Sequence, residues 1–265
     1  MKTIRNSGPL PVMAIIRQAI AICWLKRAVM FRALLPAALF LIASHMLIQL
    51  LMMKVLGPGY AAISGIILVV VVGMAFAVFA VTCHRLIIMG DDSVSKYGLS
   101  GWSPRETRFV GWLLLGYVCF LAVGAAVGIP VFGLALLLGL PSRPWVVIVT
   151  ILVTIPCVYV FARISILLPA TAVDERPNIK WAVDTTENNG WRLVLIVSIL
   201  PLVLDKFPAY LLGYSVVADF AIHVVECVLY AVEIACLSLS YQHLTGRVTY
   251  GSEVAETLLN SESVR

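Results

Sequence analysis

Residues 61–83 read AAISGIILVVVVGMAFAVFAVTC, a run without a single charged side chain. At 1.5 Å per residue a helix of this length reaches about 35 Å, enough to cross a hydrocarbon core about 30 Å thick. The apolar residues are continuous rather than alternating, which argues against the strands of a membrane β-barrel. Working outward, Gly57-Pro58-Gly59 forms a turn that pairs this run with a preceding apolar one at 33–53. A polar loop over 84–108 follows. The next apolar run opens at Phe109 and continues to Leu140, too long for one straight crossing, and Gly128 and Pro130 are expected to break or kink it. A fourth span covers 145–168 with Pro156 inside, and a second polar segment covers 171–190. The fifth is short: 191–204 gives only about 21 Å of helix, so it must extend past Asp205 and Lys206 to about 212. A sixth covers 218–241. The fold class is all-α: a polytopic membrane helix bundle of about six transmembrane helices with short interfacial helices. Residues 1–32 form an N-terminal interfacial segment, 33–242 the membrane domain and 243–265 a cytoplasmic tail.

Composition agrees. Of 265 residues 61% are hydrophobic and 12% charged, where a soluble domain carries about 25% charged. Mean hydropathy is +1.00. The net charge of +5 does not point to nucleic acid, because the basic residues sit in short loops between spans and read as topology determinants. With the N-terminus inside and six spans alternating, 16 of the 19 Lys and Arg residues fall inside, and only Lys54, Arg143 and Lys206 fall outside. The positive-inside rule therefore places both termini in the cytoplasm. Trp112, Trp145 and Trp191 open spans, as an interfacial aromatic belt requires. Six cysteines are scattered without a C-x-x-C and read as packing residues. Arg17, Lys26, Arg27 and Arg32 interrupt the early apolar stretch, so the first span is expected to stay as an uncleaved anchor. Residues 10–31 fit either an interfacial helix, with Arg17, Ala21, Trp24, Ala28 and Arg32 on one stripe, or a plain extension of the first span.

Chemistry concentrates in the last span. Asp219, His223, Glu226, Tyr230, Glu233, Leu237 and Ser240 fall on one helical face, polar at six of seven positions. A carboxylate near the bilayer centre costs about 2.5–3.5 kcal/mol, so these acids must face protein or water. Two readings fit, an interior seam satisfied by neighbouring helices and the lining of a polar cavity or proton path. Depth arithmetic nominates partners. Glu233 lies about 21 Å below Asp219 and Arg163 about 27 Å below Trp145, a difference that side chains can span. Arg163 is thus the expected counter-ion of Glu233. His45 falls near the depth of Glu226, with Gln49 one turn further on the same face. His223 and Glu226 share a face, but only His45 could add a third ligand, so no metal or other cofactor is expected. No G-x-S-x-G, Walker loop or dinucleotide fingerprint occurs, and no nucleophile–base pair can be named, so the reading is non-enzymatic.

Ala162-Arg163-Ile164-Ser165-Ile166-Leu167-Leu168-Pro169-Ala170, followed by Trp181-Ala182-Val183-Asp184-Thr185-Thr186 and Asn188-Asn189-Gly190-Trp191-Arg192-Leu193, resembles a group of six-helix bacterial inner-membrane proteins. These are related to the membrane domain attached to some glycerophosphoryl diester phosphodiesterases. Ser238-Leu239-Ser240-Tyr241 with Leu244-Thr245-Gly246 resembles the end of their last helix, and His84-Arg85-Leu86 with Arg105-Glu106 their alphaproteobacterial members. Glu187-Asn188-Asn189-Gly190 stands where their turn is more basic. The catalytic barrel is absent, so the resemblance implies a membrane module without phosphodiesterase activity. The expected function is binding of lipid or a partner membrane protein in the bacterial inner membrane. The alternative is a small transporter using the polar face of the last span.

Overall fold

A computed structural model describes residues 8–54, 61–95, 102–139, 143–204 and 216–247. The Gly57-Pro58-Gly59 turn, the extension through Asp205 and Lys206, and residues 248–265 of the tail lie outside the described residues. Among the described residues the helices follow in order: α1 (Val12–Leu25), α2 (Arg27–Lys54), α3 (Ala61–Ile88), α4 (Pro104–Leu137), α5 (Arg143–Ile164), α6 (Leu167–Ala172), α7 (Ile179–Thr185), α8 (Gly190–Leu204) and α9 (Val216–Thr245). No strand occurs among the described residues. Among the described residues five stretches are long and apolar enough to cross a bilayer: Arg27–Leu47, Val70–Ile88, Pro104–Leu134, Val147–Ala172 and Phe220–Thr245. A sixth candidate is the pair α7 and α8, bent by 102° at its break. The chain is a multi-pass helical membrane protein.

The packed core sits at one end of the bundle. There α2, α4 and α8 begin and α3, α5 and α9 end, and there the buried residues concentrate: Ala77–Cys83 of α3, Ile164–Leu167, Leu193 and Ala235–Tyr241. α2 and α3 form one hairpin and α4 and α5 another, while α9 packs on α1, α2 and α3. α1 enters the core with Ile15, Ala19 and Ile22, spaced one turn apart, against α9. The 10–31 segment is thus divided between α1, which ends at Leu25, and α2, which begins at Arg27. The chain breaks at Lys26, whose ammonium meets Asp91 at 2.7 Å.

The polar loop is shorter than the sequence indicates at both ends. α3 runs on to Ile88 because His84, Leu86, Ile87 and Ile88 are all buried and continue its core face. α4 starts at Pro104, ahead of Phe109, because Ser103 and Glu106 close a capping box and Pro104 suits the first turn. Of the break or kink expected at Gly128 and Pro130, the break does not occur: α4 continues through both to Leu137, about 51 Å of helix. The glycines do different work. A Cβ at Gly116 would meet Phe161 at 3.3 Å, and Cβ atoms at Gly124 and Gly128 would touch Cys157 and Val153 of α5 at 3.5–3.6 Å. They form a small-residue seam that lets the two backbones approach, and the Cys157 thiol meets the Phe120 carbonyl oxygen across it at 3.4 Å. The fourth apolar segment is also divided: α5 ends at Ile164 and α6 begins at Leu167. In α8, residues Leu195–Ile199 widen into a π-helical turn.

Candidate functional site

The polar face of α9 is not one continuous site. Its first half carries a small cluster: His223 Nδ1 lies 2.8 Å from Glu226 Oε2, and the His45 ring of α2 stands 5.0 Å from the His223 ring. His223 Nε2 is buried without a hydrogen-bond partner among the described residues. Lower down, Tyr230 makes an edge contact with Phe76 of α3 at 5.8 Å, and Glu233 is half-buried. Lower still, Leu237 and Ser240 are sealed in the core, with the Ser240 hydroxyl bonded back to Cys236 O at 2.7 Å. Position 219 lies in α9 and position 49 in α2, but the side chains of Asp219 and Gln49 fall outside the described residues. Among the described residues no group of three His, Cys, Asp or Glu side chains is arranged to hold a metal ion.

Depth nominated Arg163 as the counter-ion of Glu233; the hydrogen bonds described for its guanidinium go to α7. Its Nε donates to Thr186 Oγ1 at 2.9 Å and its Nη2 to Val183 O at 2.5 Å, both at the end of α7. Its guanidinium also lies 5.8 Å from the Tyr159 ring centroid. The physical reason is local. α5 packs on α4, α7 and α8, and the C-terminal end of α7 offers a carbonyl and the Thr186 hydroxyl as acceptors where α5 ends. Depth along the membrane normal carries no information about which helices are lateral neighbours.

The segment 171–190 is a folded floor beneath the bundle. α6 ends where Asp174 turns left-handed (φ 65°), and Pro177 precedes α7, whose first turn is capped by Asn178. Asn188 is also left-handed (φ 62°), a conformation asparagine tolerates. Buried Asn189 accepts from Leu10 N at 2.8 Å and so ties the N-terminal segment to α8. Asp174 accepts from Arg85 of α3 at 2.8 Å and from Arg105 of α4 at 3.3 Å, Arg105 also grips Glu106, and Glu175 pairs with Arg247 beyond α9. Inside the core beside this floor, His84 Nδ1 meets Ser238 Oγ at 2.7 Å. The Ser238 hydroxyl donates to Ile234 O at 2.8 Å, so the imidazole is the donor to Ser238.

An open groove of about 1120 Å³ lies beside this floor, between the foot of α4 and the link 175–177. Trp102, Thr107, Arg108, Gly111, Trp112 and Arg176 line it. Thr107, Gly111 and Leu115 recur at i, i+4 and i+8, with Arg108 and Trp112 beside them, so the groove follows one face of α4 from its first turn upward. Reading the sequence missed this site, because its arginines were counted as topology residues and its tryptophans as an interfacial belt. The signal was present in Ser103-Pro104-Arg105-Glu106: a capping box sets the helix start and with it the face that Arg108 occupies. No protein family, curated protein or solved structure matches this chain.

Proposed function

We propose that this chain is a non-enzymatic membrane module that binds lipid or a partner membrane protein, set in the bacterial inner membrane with its packed end and both termini cytoplasmic. The α4–α5 hairpin carries the reading. Between Leu121 and Leu138 no described residue of α4 is buried, nor is any of α5 before Cys157. Ile129, Phe132 and Ile151 are 73%, 56% and 52% exposed. Such a surface is stable only against acyl chains or another membrane protein. The resemblance to the membrane domain of phosphodiesterase-linked proteins supports the same class. With a photo-crosslinking side chain at Phe132 or Ile151 in native-lipid nanodiscs, adducts enriched in one lipid class or one discrete protein are expected. Adducts that mirror bulk lipid, with no protein band, would remove the reading.

Orientation rests on the basic residues gathered at the packed end. Reporter fusions after Gly57 and Ser142 should score outside, and after Ser95, Asn178 and Ser252 inside. An outside score at Ser252 would delete one crossing and make the bent α7–α8 pair re-entrant.

The His45–His223–Glu226 cluster favours a second reading, a small transporter. On the binding-module reading, Glu226→Gln keeps the side chain's shape and an acceptor for His223, so stability should fall by no more than about 1 kcal/mol. Carbodiimide labelling beside a proton-flux assay in proteoliposomes separates the two. Rapid labelling of Glu226, together with flux that vanishes in Glu226→Gln, would establish the transporter.

A further inference from the structure

We infer that the groove at the foot of α4 binds a phosphate-bearing anion, presented as the headgroup of an anionic membrane phospholipid. The inference rests on the binding-module reading and names its ligand. Charge bookkeeping at the floor carries the first step. Asp174 is held by Arg85 and Arg105, Glu106 by Arg105, and Glu175 by Arg247. Arg108 and Arg176 line the same groove, and neither has an ion pair or hydrogen bond among the described residues. Among these groups five guanidiniums meet three carboxylates, which leaves Arg108 and Arg176 over at a groove that Glu175, held by Arg247, also lines. Arg108 supplies the second step: its Nε is buried and lacks an acceptor. A buried charged donor left unsatisfied is costly, and a phosphate oxygen is the acceptor whose geometry a guanidinium matches best.

The walls select a lipid over a free ion. Trp102 donates from its indole to Thr107 Oγ1 at 2.8 Å, fixing an amphipathic ring at the groove mouth, and Trp112 stands one turn higher. A Cβ at Gly111 would meet nothing within 4 Å, so the missing side chain leaves an open channel up the helix. Leu115 ends the lining about 12 Å above Thr107. There Leu114 and Val118 are 56% and 57% exposed and continue the same apolar hairpin surface. A phosphodiester held by Arg108 and Arg176 would thus lay its acyl chains along α4, where a soluble phosphate would leave that surface unused.

Native mass spectrometry of the full chain released from detergent tests this, with dioleoylphosphatidylglycerol and dioleoylphosphatidylcholine as probes. The first phosphatidylglycerol should bind at least about tenfold more tightly than phosphatidylcholine. Arg108→Gln with Arg176→Gln should bring the two lipids within about threefold. Arg176→Gln alone, at an exposed side chain, should show about half of that logarithmic loss and serves if the double variant fails to fold. Gly111→Leu keeps both arginines but fills the channel, and it should weaken phosphatidylglycerol without changing the response to inorganic phosphate. Equal binding of the two lipids in the wild type overturns the inference. A phosphatidylglycerol preference that survives every variant overturns the groove but leaves a lipid-binding module standing. Inorganic phosphate displacing phosphatidylglycerol at equal concentration overturns the lipid source. Retention of neither lipid nor any protein partner defeats the broader reading itself.

Discussion

Gly190→Ala is expected to destabilise the protein by about 2–3 kcal/mol, a fall in melting temperature of roughly 5–10 °C. The substitution adds one carbon at the start of α8. That Cβ would lie 2.7–2.9 Å from two carbons of the Tyr159 ring and its hydroxyl oxygen, closer than real Cβ atoms come. The ring has no easy retreat. It meets the Trp191 ring at a 45° tilt with centroids 4.9 Å apart, and the Arg163 guanidinium lies 5.8 Å from its centre. Arg163 in turn holds the end of α7 through Thr186 and Val183. Displacing Tyr159 therefore loosens the joint between α5, α7 and α8, and the floor with it. Thermal unfolding of the detergent-solubilised protein reads the loss, and Tyr159→Leu in the Gly190→Ala background should restore part of it by removing the obstructing ring atoms. A Gly190→Ala protein that melts within about 1 °C of wild type would show that the close approach is not required.

His84→Ala is expected to cost about 2–4 kcal/mol, through a cavity in the core and loss of the bond from α3 to α9. His84 is 1% exposed and Ser238 fully buried, so water cannot replace either partner. Ser238→Ala alone should cost about 1 kcal/mol, since its hydroxyl also serves the Ile234 carbonyl within its own helix. The two side chains are in contact, so their effects should not add. A double-mutant cycle by denaturant titration in mixed micelles should give a coupling of about 0.6–1.5 kcal/mol. Strict additivity would mean that the 2.7 Å contact contributes nothing to joining the helices.

These positions differ in how far the sequence announces them. His84 stands at the edge of a loop when hydropathy alone is read, because a window average falls as soon as His84-Arg85 is met. The helix nonetheless continues to Ile88, since three of the next four residues are large and apolar and face the core. Gly128 and Pro130 look like a break for a similar reason. Their intrinsic cost is real, yet α5 supplies a surface against which a glycine seam packs, and the helix persists. Arg163 was matched to Glu233 by depth, a coordinate any residue count provides; its hydrogen-bonding neighbours follow from lateral packing, which no count provides.

The sequence by itself determined that this is an all-helical, multi-pass membrane protein, where its apolar stretches lie, and that polar residues line one face of the last helix. Those properties depend on composition and on the periods of 1.5 Å rise and 3.6 residues per turn, which are local. Tertiary structure decided the rest. It split the polar face into a His45–His223–Glu226 cluster and a sealed seam, folded 171–190 into a floor, and committed Arg85, Arg105 and Arg247 to carboxylates far away in the chain. It thereby left Arg108 and Arg176 together at one groove. Which charge is neutralised and which is left over depends on residues brought together across the chain, as Arg85 and Arg105 are with Asp174 at separations of 89 and 69 positions, and spacing within any one helix is silent on that.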